Sequence, residues 1–321
     1  MIDSVVYASL FGLMAVGLTL TYLTTKVPNF AYGSFVTIGM YISFSVFRIN
    51  HVDPYFSLPL AFVLGGLVSV GMYLGVLRML ARRGSSLVAL MISTLAIDIA
   101  FVGIFGIYSD YISSRYGLTD SKNFFRLLAD FSYLGLPGVF YIAPISLAVI
   151  TIALFVFLTK TKFGVAMRAS VENPSLARVL GIDVERAYVF AWFLAGGFAA
   201  IAGSLASLWL QGGTTVGSAL IVEIFAASVL GGLASIYGAA LGGLIIGASE
   251  ILLTQAAIGA FGAWISIYQK GFPLLIMVIT LLLFPRGLVS VDWRRILHPI
   301  SSIVELLVHR FSQIFRFVRG K

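Results

Sequence analysis

Seven stretches of about twenty mostly apolar residues, separated by short segments that carry most of the charge, decide what this chain can fold into. Each is long enough to cross the ~30 Å hydrocarbon core of a bilayer as a helix. The stretches lie at about 4–23, 29–47, 56–77, 86–108, 138–158, 188–210 and 265–284. The region 221–256 is longer and is interrupted by GGLASIYGAALGG. Several glycines together weaken a helix interior, so two limbs joined by a bend are expected there, as a hairpin crossing twice or a re-entrant pair. The expected fold is all-α, a polytopic transmembrane helical bundle of about 8–9 membrane-crossing segments, with a broken or re-entrant Gly-rich region near 221–256.

Of the residues, 60% are apolar and 11% charged. Ordinary globular chains are about 45–50% apolar and about 25% charged, which excludes a single water-facing domain. The first stretch, MIDSVVYASLFGLMAVGLTLTYLTTK, has no basic leader ahead of its apolar run and reads as a retained helix.

The basic residues sort the two sides of the membrane. Lys26, then Arg78, Arg82 and Arg83, then Lys160, Lys162, Arg168, Arg178 and Arg186, and finally seven in the tail after Phe284 make up 16 of the 21 Lys and Arg. The positive-inside rule assigns all four segments to the cytoplasm. The loop 109–137 balances Arg115, Lys122 and Arg126 against Asp110, Asp120 and Asp130, as an external loop can. Alternation then places the amino terminus outside and the carboxy terminus in the cytoplasm of a multi-pass plasma-membrane protein. Two domains follow: a transmembrane domain over 1–292, containing a cytoplasmic loop 159–187, and a basic tail over 293–321. In the tail, Ile300, Ile303, Leu307, Phe311, Ile314 and Val318 recur at helical spacing. An amphipathic helix with a basic face suits an anionic inner leaflet, so membrane lipid is an expected partner and nucleic acid is not. Packing on another protein is the alternative reading of the same pattern.

Strings such as FVLGGLVSVGMYLG and LAGGFAAIAGSLAS set Gly, Ala and Ser at spacings of three to five. Between helices in lipid, close approach through small faces replaces the hydrophobic drive available in water. The loop 159–187 is the most informative polar segment. Asn173 followed by Pro174 is a helix start, with Asn as cap and Pro at the first position, and Gly181 is a stop, so a two-turn helix is expected over PSLARVLG. Such a helix is unstable alone in water. It is either a lever lodged in a partner's groove or a linker with a local turn.

Three carboxylates fall inside the apolar spans: Asp98, Glu223 and Glu250. Buried charge in a membrane is costly and usually faces the protein interior or a water-filled cavity. Each either lines a translocation pathway or is a satisfied packing contact, with backbone donors, hydroxyls or water as its expected partners. Asn29, after Pro28, is expected to cap the second helix. No HExxH, GxSxG or GxxxxGK pattern is present, and the chain has no Cys and three His. No catalytic residue, no metal site and no cofactor bound by this chain are expected, and any nucleotide hydrolysis would belong to another subunit.

Five segments in order, GLMAVGLTLTY, VPNFAYGSFVTIGMY, TKFGVAMRASVENPSLARVLGIDVERA, FAASVLGGLASIYGAALGGLIIG and LLLFPRGLV, resemble the permease family of ABC importers for branched-chain amino acids. The likeness covers about 12–289 and leaves out the tail. The chain departs from it at Tyr32, where the family commonly has His. The resemblance implies a non-enzymatic subunit that works with a second related permease or a second copy of itself. It further implies two cytoplasmic ATP-binding subunits that use ATP and Mg, and an extracytoplasmic solute-binding protein. It assigns coupling to the ATPase to Arg168, Asn173, Pro174, Arg178 and Gly181. A permease for urea, amides, sugars or nucleosides in the same class, or an ion-coupled secondary transporter, is the alternative.

Overall fold

The computed structural model of the chain describes residues 2–127, 130–284 and 287–290. The tail helix, and the boundary expected at 292/293, lie outside the described residues. Helices dominate: α1 (Ile2–Thr25), α2 (Tyr32–Arg48), α3 (Ser57–Met72), α4 (Arg78–Arg82), α5 (Leu87–Tyr116), α6 (Gly138–Lys160), α7 (Lys162–Glu172), α8 (Pro174–Val179), α9 (Val184–Ala206), α10 (Val216–Gly231), α11 (Ile236–Phe261) and α12 (Gly271–Leu283). A 3₁₀ turn at Pro54–Phe56 and a π turn at Tyr73–Leu77 join α3 and α4 into one rod over Pro54–Arg82. Two strand pairs decorate one end: β1 (Asn123–Phe125) with β4 (Gly212–Gly213), and β2 (Ser132–Tyr133) with β3 (Leu136–Pro137). Leu134 and Gly135 turn the second hairpin, both at positive φ, as a two-residue loop of the twisted kind requires.

Among the described residues, six helical stretches are long and apolar enough to span a bilayer: Ile2–Thr25, Pro54–Arg82, Leu87–Tyr116, Gly138–Lys160, Val184–Ala206 and Ile236–Phe261. Three shorter helices, α2, α10 and α12, run beside them. The chain thus forms the expected all-α polytopic bundle.

The expected bend in the Gly-rich region narrows to residues 232–235. Gly232 takes φ 97°, and Ser235 caps α11 by accepting from the Gly238 N–H at 3.1 Å. The last expected span, 265–284, begins as helix only at Gly271; Ala263–Tyr268 is a 3₁₀ segment. Apolar content alone cannot separate those two states. The sixth span begins at Val184 rather than 188, because Asp183 caps it by accepting from the Arg186 N–H.

The connections gather at two ends. At the basic end, Arg78 and Arg82 pair with Glu185, Trp192 Nε1 donates to Thr24 at 3.1 Å, and Lys26, Arg168 and Ser235 line one cavity. At the far end, Arg48 pairs with Asp120, Tyr55 donates to Asp130, and Asp3, Arg126 and Ser266 line another cavity. The α10–α11 hairpin leaves the far end, turns at the basic end beside Gly287, and returns.

Helix α1 is the axis of the bundle, almost wholly buried against α9, α10, α11 and α6. Small residues permit this. Gly243 lies on the Gly12 backbone and Gly247 on Ala8, while Gly39 meets the Ala200 carbonyl and Gly203 the Val36 carbonyl. The small-residue strings are not uniformly used: Gly71 and Gly75 face open space. Helix α5 is different, exposing Leu87, Ile92, Ile99, Ile104 and Ile107 along its length.

Candidate functional site

The loop between α6 and α9 carries Arg168, Asn173, Pro174, Arg178 and Gly181, the residues to which the resemblance assigns coupling. It holds two helices rather than one. Thr161 starts α7 by accepting from the Gly164 N–H at 3.0 Å, and Asn173 Oδ1 starts α8 by accepting from the Leu176 N–H at 3.0 Å. Pro174 occupies the first position of α8, where a missing donor costs nothing. The helix ends at Val179, and Gly181 at φ 80° closes the turn with its N–H on the Arg178 carbonyl. Tyr188 of α9 donates to the Ser170 carbonyl and fixes α7 against the bundle.

Arg168 and Arg178 do not share a site. Arg168 lines a cavity of about 540 Å³ with Lys26, Glu172, Ser235 and Tyr237. Arg178 lines a second, of about 580 Å³, with Arg78, Arg82, Glu185 and Tyr188. Helix α8 buries Ala177 and, with Leu180 just after it, presents Leu176 and Val179 outward, Val179 being 83% exposed. The six-residue helix is capped and turns an apolar face away from its own bundle. Removing the cap by Asn173→Ala costs about 1 kcal/mol. Amide exchange of residues 176–180 is then expected to accelerate about fivefold, read by mass spectrometry, with the rest of the chain unchanged.

The three intramembrane carboxylates separate into two places. Asp98, half-buried on α5, accepts from Ser34 Oγ of α2 at 2.5 Å. Its partner is a hydroxyl, as the sequence suggested. Glu223 of α10 and Glu250 of α11 lie together near the far end, 1% and 3% exposed. Gln269 Nε2 donates to Glu250 Oε1 at 2.9 Å, and Lys270 Nζ stands 3.4 Å from Glu223 Oε1. Here the expectation of backbone, hydroxyl or water partners gives way. The connector 262–270 folds a lysine and an amide back into the bundle, a long-range contact invisible to span-by-span reading. Asn29 also differs from its expected role. Its Oδ1 accepts from the Ala31 N–H in the turn ahead of α2, and the cap position itself is Ala31, which makes no side-chain capping bond. Tyr32 is fully buried, with its hydroxyl 3.5 Å from the Ala195 carbonyl. Among the described residues no three His, Asp or Glu side chains converge where a metal could be held.

Known proteins resemble this chain over most of its length. The family model described as branched-chain amino acid transport system, permease component, matches residues 1–281. A probable branched-chain amino acid transport permease protein LivH of Methanocaldococcus jannaschii is 43% identical, over 93% of this chain and 94% of its own. The high-affinity branched-chain amino acid transport system permease protein LivH of Escherichia coli K12 is 28% identical, over 90% and 94%. Among solved structures, PsaBC from Streptococcus pneumoniae in complex with Fab matches 88% of this chain and 91% of its own at 14% identity, with a TM-score of 0.48.

Proposed function

We infer how this molecule works from one premise: the chain belongs to the family of permease components of branched-chain amino acid transport systems. It is the permease subunit of an ABC importer for these amino acids. On that reading it has no catalytic residue of its own. Two cytoplasmic ATP-binding subunits use ATP and Mg, a second permease, related or identical, completes the path, and an extracytoplasmic solute-binding protein delivers the amino acid.

The nine helical stretches that run between the two ends among the described residues are the membrane crossings, the short ones included. The basic end is cytoplasmic and the amino terminus lies outside, which the concentration of Lys and Arg at one end supports. The observation that carries the mechanism is α8, a capped helix whose apolar face of Leu176, Val179 and Leu180 is turned away from its own bundle at that end. Closure of the ATPase pair would push this face. Because α7 and α9 grip the connector, the push would tilt the tightly seated α1, α9 and α3 and switch the path from outward-open to inward-open. Arg168, Asn173, Pro174, Arg178 and Gly181 shape and orient the lever, while Asp98, Glu223 and Glu250 are the polar groups available along the path.

The sidedness is tested with a single cysteine, since the chain has none of its own. With the chain expressed without its ATP-binding subunits, so that α8 is uncovered, Val179→Cys should resist a membrane-impermeant maleimide in intact cells and react in inverted vesicles. Reaction in intact cells would place the lever outside and end the scheme.

A further inference from the structure

At the far end a cavity of about 520 Å³ opens between the start of α1, the last turns of α11 and the connector 262–270, lined among others by Asp3, Tyr7, Arg126, Trp209 and Gln269. Its polar groups are unevenly matched. Arg126 stands over the Trp209 ring at 5.2 Å, and its Nε donates to the Leu208 carbonyl, with no carboxylate paired to it among the described residues. One side chain behind the wall, Gln269 holds Glu250 Oε1, while Glu250 Oε2 is buried with no hydrogen-bond partner among the described residues. Glu223 beside it has Lys270 as its cation, and Lys270 Nζ is shared with the Ala219 carbonyl. Two buried carboxylates are therefore served by one ammonium.

A buried carboxylate with an open oxygen calls for a donor that brings charge, because an uncompensated charge in a dry site is costly. The amide of Gln269 supplies a donor without charge. A primary ammonium in its place would supply both. The rest of the cavity suits what a zwitterion carries beyond its ammonium: Arg126 for a carboxylate, and Ile251 and Ile258 for an aliphatic side chain. We propose that this cavity admits a zwitterionic aliphatic amino acid whose α-ammonium displaces Gln269 from Glu250 and whose carboxylate faces Arg126. The inference rests on the importer reading and adds to it where in this chain the amino acid is held.

The test uses the assembled transport complex in lipid nanodiscs, without binding protein. In a Gln255→Cys variant, whose cysteine stands on the cavity wall, the rate of modification by a small methanethiosulfonate reagent is measured. Millimolar leucine should slow it about tenfold, isocaproate, which lacks the ammonium, should leave it unchanged, and adding Glu250→Gln should abolish the leucine effect. Glu250→Asp should keep part of the effect, and Gln269→Ala, which removes the competing donor, should shift protection to lower leucine. Equal protection by isocaproate, full protection in Glu250→Gln, or the same slowing by sodium chloride alone would each overturn the proposal. If Glu250→Gln fails to assemble, unchanged leucine dependence in Gln269→Ala overturns it. Leucine uptake by the wild-type complex with its binding protein, together with no protection by leucine, removes this site and leaves the importer reading standing. No leucine uptake by that complex removes the reading itself.

Discussion

Gly39→Leu is expected to eliminate most of the folded protein. A side chain at this position on α2 would run into the carbonyl and Cα of Ala200 on α9, and the reciprocal Gly203 sits against the Val36 carbonyl. Both obstacles are backbone, so no rotamer change relieves the clash. Overpacking typically costs about 1–3 kcal/mol where side chains can shift, and a backbone clash on both helices lies at or above the upper end. Total stability is only about 5–15 kcal/mol, and in lipid such close packing is itself the main source of helix association. Monodisperse material on size exclusion should fall by about tenfold, and the remainder should unfold at clearly lower temperature. Gly71→Leu on α3, which faces open space, is the control and should behave as wild type. Equal behaviour of the two variants would show that the α2–α9 seam does not hold the bundle.

The largest functional effect is expected from Leu176→Asp combined with Val179→Asp. Both side chains are exposed on α8, so the isolated chain should fold and run as wild type. In the complex, two carboxylates would enter a contact that the apolar face is shaped to keep dry. Loss of a central apolar anchor typically costs about 2–4 kcal/mol of binding, which corresponds to roughly 30- to 1,000-fold. Leucine uptake should drop at least about tenfold on that scale, and the ATP-binding subunits should no longer copurify. Wild-type uptake in this variant would remove α8 as the coupling element.

The spans were legible because the bilayer imposes a length and an apolar content that a reader can count. The short helix α8 was legible because Asn173 and Pro174 are local signals. Helix α7 went unread, although Thr161 ahead of it supplies a cap. Its few apolar residues, Val165, Met167 and Val171, stand among Lys162, Arg168 and Glu172, and it looks like loop beside the spans. Helix α5 outruns its expected end at 108 because its last turns are polar, and it stops where Gly117 supplies a left-handed cap at φ 69°. The cluster of Glu223, Glu250, Gln269 and Lys270 had no readable signal. Its members are up to 47 positions apart along the chain, and only the fold of the 262–270 connector brings them together.

The wide turn at Tyr73–Leu77 sets an angular phase. A helix is a screw with about 100° per residue, and a π turn lets one extra residue through without lengthening the thread proportionately. Before and within that turn, Ser69 donates to the Trp192 carbonyl and Tyr73 stacks on the Trp192 ring at 5.3 Å; just beyond it, Arg78 and Arg82 close on Glu185. Without the added residue, the arginines would swing about a quarter-turn away while the upper grip stayed put. The rod therefore clamps α9 at two heights, and Glu185 lies at the first turn of α9, directly after the connector that bears α8. Torque applied to that connector would meet a stiff crank rather than a frayed helix end.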